Sequence, residues 1–130
     1  MPISYEIDHA RRRIYTRCEG TVTYEELRAH MNAETGAESA SYGEIFDCSG
    51  AVTTITDNEI VGLAAEREEV ALKQKPGPVA IVATDDNFFK KLQMFDSMTE
   101  QIRPMQLFRY KAPAERWLDE ITSRWGDDHG

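Results

Sequence analysis

The sequence has no long hydrophobic run. Its longest strongly apolar stretch, Val79 to Ala83, is far too short to cross a bilayer, so no membrane span is expected. Cysteine is scarce too. Cys18 and Cys48 could form one disulfide at most, and nothing in their spacing favours it over two buried thiols. The first residues, Met-Pro-Ile-Ser-Tyr-Glu-Ile-Asp, lack the basic start and apolar core of a secretory signal. The expected location is therefore the cytoplasm, where both thiols stay reduced.

Positive charge is in deficit. Lys and Arg number 15 against 23 Asp and Glu, which gives a formal net charge of −8 and a pI near 4.9. Such a surface repels nucleic-acid backbone and anionic lipid, so nucleic acid is not an expected partner. Arg11-Arg12-Arg13 is the one concentrated basic run, and its place between two strand-like segments marks a solvated hairpin tip. Histidine is sparse: His9, His30 and His129 fall on a turn, a helix and a tail, with no i, i+4 pair and no HExxH pattern to hold zinc. Missing as well are GxGxxG, GxxxxGK and GxSxG, which leaves nucleotide binding and serine hydrolysis without support. No cofactor and no metal are expected, and the chain reads as a non-enzyme.

What remains is ordinary for a globular domain: 130 residues, 41% hydrophobic and 29% charged, enough for one domain over 1–126 with a frayed tail at 127–130. Ile3, Tyr5 and Ile7 alternate with polar residues, and Ile14 to Glu19 reads as a second strand, so the two form a hairpin that ends at Gly20. Thr23 to Glu26 is a capping box, and the helix after it turns Tyr24, Leu27, Met31 and His30 inward. Gly36 to Gly43 is a loop. Ile45-Phe46 opens a short strand that ends near Cys48. A second capping box, Thr56 to Glu59, starts a helix with Ile60, Leu63, Ala64, Arg67 and Ala71 at inward spacing.

Lys75-Pro76-Gly77-Pro78 stops that helix. Val79 to Ala83 has no alternation, the mark of a strand covered on both faces, and is expected in the middle of the sheet. Asp85-Asp86-Asn87 caps a third helix, in which Phe88, Leu92, Phe95, Met98 and Ile102 form the repeat. Gln106 to Tyr110 is a last strand, and Ala112-Pro113 opens a fourth helix with Trp117, Leu118, Ile121 and Trp125 as its apolar stripe. The order ββαβαβαβα requires crossovers, so the fold class is α/β, a mixed and mostly parallel sheet with an antiparallel hairpin at its start.

This order, together with "IFDCSGAVTTITDNEIVGLA", "VAIVATDDNFFKKLQMFDSM" and "LFRYKAPAERWL", resembles the small bacterial SpoIIAA-like proteins of the STAS superfamily, relatives of anti-sigma-factor antagonists. The likeness runs from about Ile3 to Leu118. It implies a regulatory, protein-binding domain. In such antagonists a strand ends in an Asp-x-Ser-Gly-like turn, and an Asp-Ser pair at the next helix start offers the serine that a partner kinase phosphorylates. Asp47 to Gly50 matches the turn and Asp57 the later aspartate. The position after it is Asn58, which has no hydroxyl and cannot take a phosphoryl group. The resemblance extends to Sec14-type lipid carriers, which implies an alternative: a small-molecule or lipid-binding module with an apolar pocket under the third helix.

Ser49 reads as a turn residue bonding nearby backbone, and Cys48 as a buried thiol, since no local base would lower its pKa. Asp47, Asp57, Asp85 and Asp86 fall at strand ends or helix starts, where carboxylates could hold a cation for an enzyme, though capping of helix NH groups accounts for most of them. Phe89, Met94, Trp117 and Trp125 exceed what one inward stripe per helix needs. They point to association, as a homodimer or with a protein partner, centred on Phe89 or Trp125. The residues singled out for partner or ligand binding are thus Asp47, Ser49, Asp57, Asn58, Phe89, Met94 and Trp125.

Overall fold

The computed structural model describes residues 3–33, 41–73, 76–99 and 103–129, the side chains of 32–33, 70–73 and 125–129 excepted. Along these residues the chain forms β1 (Ile3–Asp8), β2 (Arg13–Val22), α1 (Tyr24–Ala33), β3 (Gly43–Thr53), α2 (Asp57–Lys73), β4 (Val79–Ala83), α3 (Asp86–Thr99), β5 (Met105–Phe108) and α4 (Lys111–His129). The element order is the expected one. Among the described residues, α4 continues into the stretch read as tail, and Ile102 and the Ala71 side chain lie outside the description.

The helix starts follow from local chemistry. Glu26 N–H donates to Thr23 Oγ1 at 3.2 Å and Thr23 N–H to Glu26 Oε1 at 3.0 Å, while Glu59 and Thr56 repeat the pattern at 3.2 and 3.0 Å. Both boxes satisfy donors that a helix N-terminus would otherwise leave unpaired. Asp85 Oδ2 does the same for Phe88 N–H at 2.9 Å and so caps α3.

The sheet runs β1-β2-β3-β4-β5, with β1 antiparallel to β2 and the other pairs parallel. The three crossovers through α1, α2 and α3 all step the same way across the sheet. Right-handed crossovers that step one way must lay their helices on one face. Accordingly Leu27 of α1, Ile60 and Leu63 of α2, and Phe88 and Leu92 of α3 share a core with Phe46 and Ile81. After the last strand α4 is free of that constraint and covers the opposite face, where Ala114 and Leu118 pack on Ile45, Ala80 and Val82.

Three expectations need correction. The middle strand is β3, with β4 one place to its side. β4 is buried along its whole length because helices cover both faces there, a condition that central position does not uniquely supply. Secondly, β3 does not stop near Cys48. It continues to Thr53, because β2 is long enough to pair with it as far as Val22. Between Arg17↔Asp47 and Glu19↔Gly50, β2 advances two residues and β3 three, so Asp47 to Gly50 is a bulge inside a strand and not its end. Gly20, beside this bulge, has φ 69°, a left-handed conformation that glycine adopts without a Cβ clash. Thirdly, Arg13 is no hairpin tip. It is the buried first residue of β2 and reaches Asp119 of α4 at 2.6 Å.

Smaller differences concern Met98, which is exposed despite its place in the helical repeat, and the last strand, which ends at Phe108. Before β4, a Cβ on Gly77 would run into the carbonyl oxygens of Ser41 and Tyr42, so the two segments can cross only at a glycine.

Candidate functional site

Beneath the three helices of the larger layer lies a partly open cleft with room for about 70 Å³. Phe46 of β3 and Val79 and Ile81 of β4 form its floor. Period-two alternation presents these side chains on one face, and the same alternation sends Ile45, Ala80 and Val82 to α4. Leu27 and Met31 of α1, Ile60 and Leu63 of α2, and Leu92 and Phe95 of α3 make the walls, and Met105 closes the β5 side.

Four polar side chains also line the cleft: His30, Glu44, Arg67 and Arg103, none more than 9% exposed. Glu44 is the second residue of β3 and points to the same face as Phe46. Thr16 Oγ1 donates to Glu44 Oε2 at 2.8 Å, and His30 Nε2 lies 3.1 Å from that same oxygen, within hydrogen-bonding distance. The His30 ring is set edge-on between Phe46 and Tyr5, with centroids 5.3 and 5.5 Å away. Arg103 donates through Nε to the Gly77 carbonyl, and Arg67 and Arg103 each hold further contacts within the protein. The wall that faces the cleft is almost wholly carbon, because these residues present their stems and turn their heads into the protein.

The residues singled out from sequence are dispersed. Asp47 faces the α4 side, and its Oδ1 accepts the Ser49 N–H at 3.0 Å. It borders a separate polar groove with Ser4, Glu6, Tyr15, Arg17 and Lys111, on the part of that face beside α4. Ser49 is exposed in the bulge, and its carbonyl accepts the Thr84 hydroxyl at 2.7 Å. Asp57 pairs with Lys91 of α3, and Asn58 is exposed in the first turn of α2. Asp86 pairs with Arg109 at 3.0 Å, and the Arg109 guanidinium sits 3.9 Å from the centre of the Phe89 ring. Phe89 and Met94 are half-buried and pack against the larger core, as Trp117 packs against the smaller one; the Trp125 side chain lies outside the described residues. Asp47, Asp57, Asp85 and Asp86 each hold a partner of their own. Among the described residues no three His, Cys, Asp or Glu side chains converge as a metal site would need.

Cys48 and Cys18 are buried side by side on the layer of α1 to α3. Burial, and secondarily the neighbouring Cys18 thiol, push the Cys48 thiol well above its usual pKa. A nucleophile needs the opposite shift.

Sequence reasoning missed the Thr16–His30–Glu44 cluster and Arg103. The available signal was polar residues at inward positions: His30 and Arg67 both fall on the apolar stripe of their helices, and Glu44 directly precedes Ile45-Phe46.

No protein-family model matches the sequence, and no curated protein does. Among solved structures, the chain is similar to an uncharacterised protein of the DUF3478 family with a SpoIIAA-like fold, from Shewanella loihica PV-4, whose crystal structure has 2.25 Å resolution. The match has a TM-score of 0.55 and covers 89% of this chain and 93% of that one. The fold is SpoIIAA-like. At 17% identity the likeness concerns architecture alone, so function has to be argued from the cleft. Among the described residues no helix of this SpoIIAA-like chain is long and apolar enough to cross a membrane.

Proposed function

We propose that this SpoIIAA-like domain is a binding module without catalytic chemistry of its own, and that it takes a small molecule into the cleft under α1, α2 and α3. The observation that carries the reading is the cleft itself, an apolar-walled space at the junction of three helices and the sheet, the kind of concavity small ligands use. The reading places ligand binding ahead of the protein-partner surface that the sequence favoured. Among the described residues the large exposed apolar side chains are Tyr5, Val52, Val61, Met98 and Tyr110, from four elements and a loop.

Thermal melting against a panel of small compounds tests the proposal, with wild type and Leu92→Phe measured side by side. A compound held in the cleft at about 100 times its Kd adds roughly 2.7 kcal/mol of stability to the wild type. Leu92→Phe fills the space and should lose that gain. Should this variant not fold, Val79→Leu narrows the same cleft from the floor. Stabilisation of equal size in wild type and filled variant, or in neither, would sink the proposal.

A further inference from the structure

The cleft combines two properties that seldom occur together: several charged residues in its lining, and almost no polar surface facing its interior. Glu44 Oε2 is taken by Thr16 and His30, Arg103 Nε by the Gly77 carbonyl, and every one of His30, Glu44, Arg67 and Arg103 has further contacts inside the protein. Their aliphatic stems and ring carbons complete a wall otherwise built from Leu27, Phe46, Ile60, Leu63, Ile81 and Leu92. A carboxylate or ammonium group inside would surrender its water and meet carbon in return.

We infer that the ligand group entering the cleft is a small uncharged hydrocarbon, and that the carbon wall excludes anionic and cationic analogues of the same size. The room of about 70 Å³ holds only a small group, being about half of the roughly 150 Å³ of an apolar cavity that takes benzene. The inference rests on the reading of the cleft as a binding site and deepens it by naming what the site accepts.

The test is a methyl-detected NMR titration of the full chain with cyclopentane, isobutyrate and isobutylammonium, followed at Leu27, Ile81 and Leu92. Cyclopentane should shift these methyl signals with an affinity in the millimolar range, as burial of about five carbon groups implies. Both ions should bind roughly a hundredfold more weakly or not at all. If either ion shifts the same signals as readily as cyclopentane, the exclusion of charge is wrong while the cleft remains a binding site. If none of the three moves them, the hydrocarbon inference falls and the binding reading falls with it. Cyclopentane shifts that persist in Leu92→Phe would place the compound elsewhere and overturn both.

Discussion

The Cys48 thiol, pressed against Cys18 and shut off from water, holds its proton more firmly in the folded chain than in the unfolded one. The sign of the pH effect follows. Below about pH 8.5, the ordinary thiol pKa, both states are protonated and this contribution to stability is fully present. As pH rises further the unfolded chain releases the proton and the folded chain does not, so the contribution is lost progressively up to the raised folded pKa. The slope is at most about 1.4 kcal/mol per pH unit for one thiol. Urea denaturation of wild type and Cys48→Ala between pH 7.5 and 10 should therefore show the wild type losing stability faster; parallel curves would refute the shift. At this scale the sequence is a partial guide. It places Cys48 on an apolar strand and so tells that the thiol is buried, but Cys18 joins it only through the β2–β3 pairing, which no local pattern encodes. The same holds for Thr16, His30 and Glu44, whose contacts span two strands and a helix.

Elements whose causes are local were the most legible. Thr56 and Glu59 stand three residues apart and cap α2 by reaching for each other, with no help from the rest of the fold. Thr56→Ala, which removes the hydroxyl that accepts the Glu59 N–H, should cost about 1 kcal/mol in chemical denaturation without changing the denaturant slope. An unchanged midpoint would show that the cap contributes nothing. The course of β3 was much less legible. Asp47-Cys48-Ser49-Gly50 has the composition of a turn, and only the presence of β2 alongside lets it continue as a bulged strand to Thr53. The misplaced centre of the sheet has a related cause: hydrophobicity reports covering by helices, and α4 happens to cover β4 as fully as it covers β3.

For the molecule as a whole, one sheet supports two unequal cores. Leu118 of α4 is completely buried against the smaller core, and its replacement by Ala should cost about 2–5 kcal/mol. Because the sheet is common to both cores, that loss should lower the midpoint of the entire chain, with coincident transitions in far-UV circular dichroism and in the fluorescence of Trp117 and Trp125, both on α4. Fluorescence that melts ahead of circular dichroism would mean that α4 detaches by itself. The layer arrangement also bears on synthesis at the ribosome. Strand order in space equals strand order in the chain, so each strand that emerges finds its neighbour already waiting at the growing edge, and none has to insert between two others. The nascent sheet can thus be zipped up in the order in which it is translated. Its apolar underside, however, with Ile45, Ala80 and Val82, stays bare until the last helix leaves the exit tunnel, and during that interval it is a surface for chaperones or for a neighbouring nascent chain.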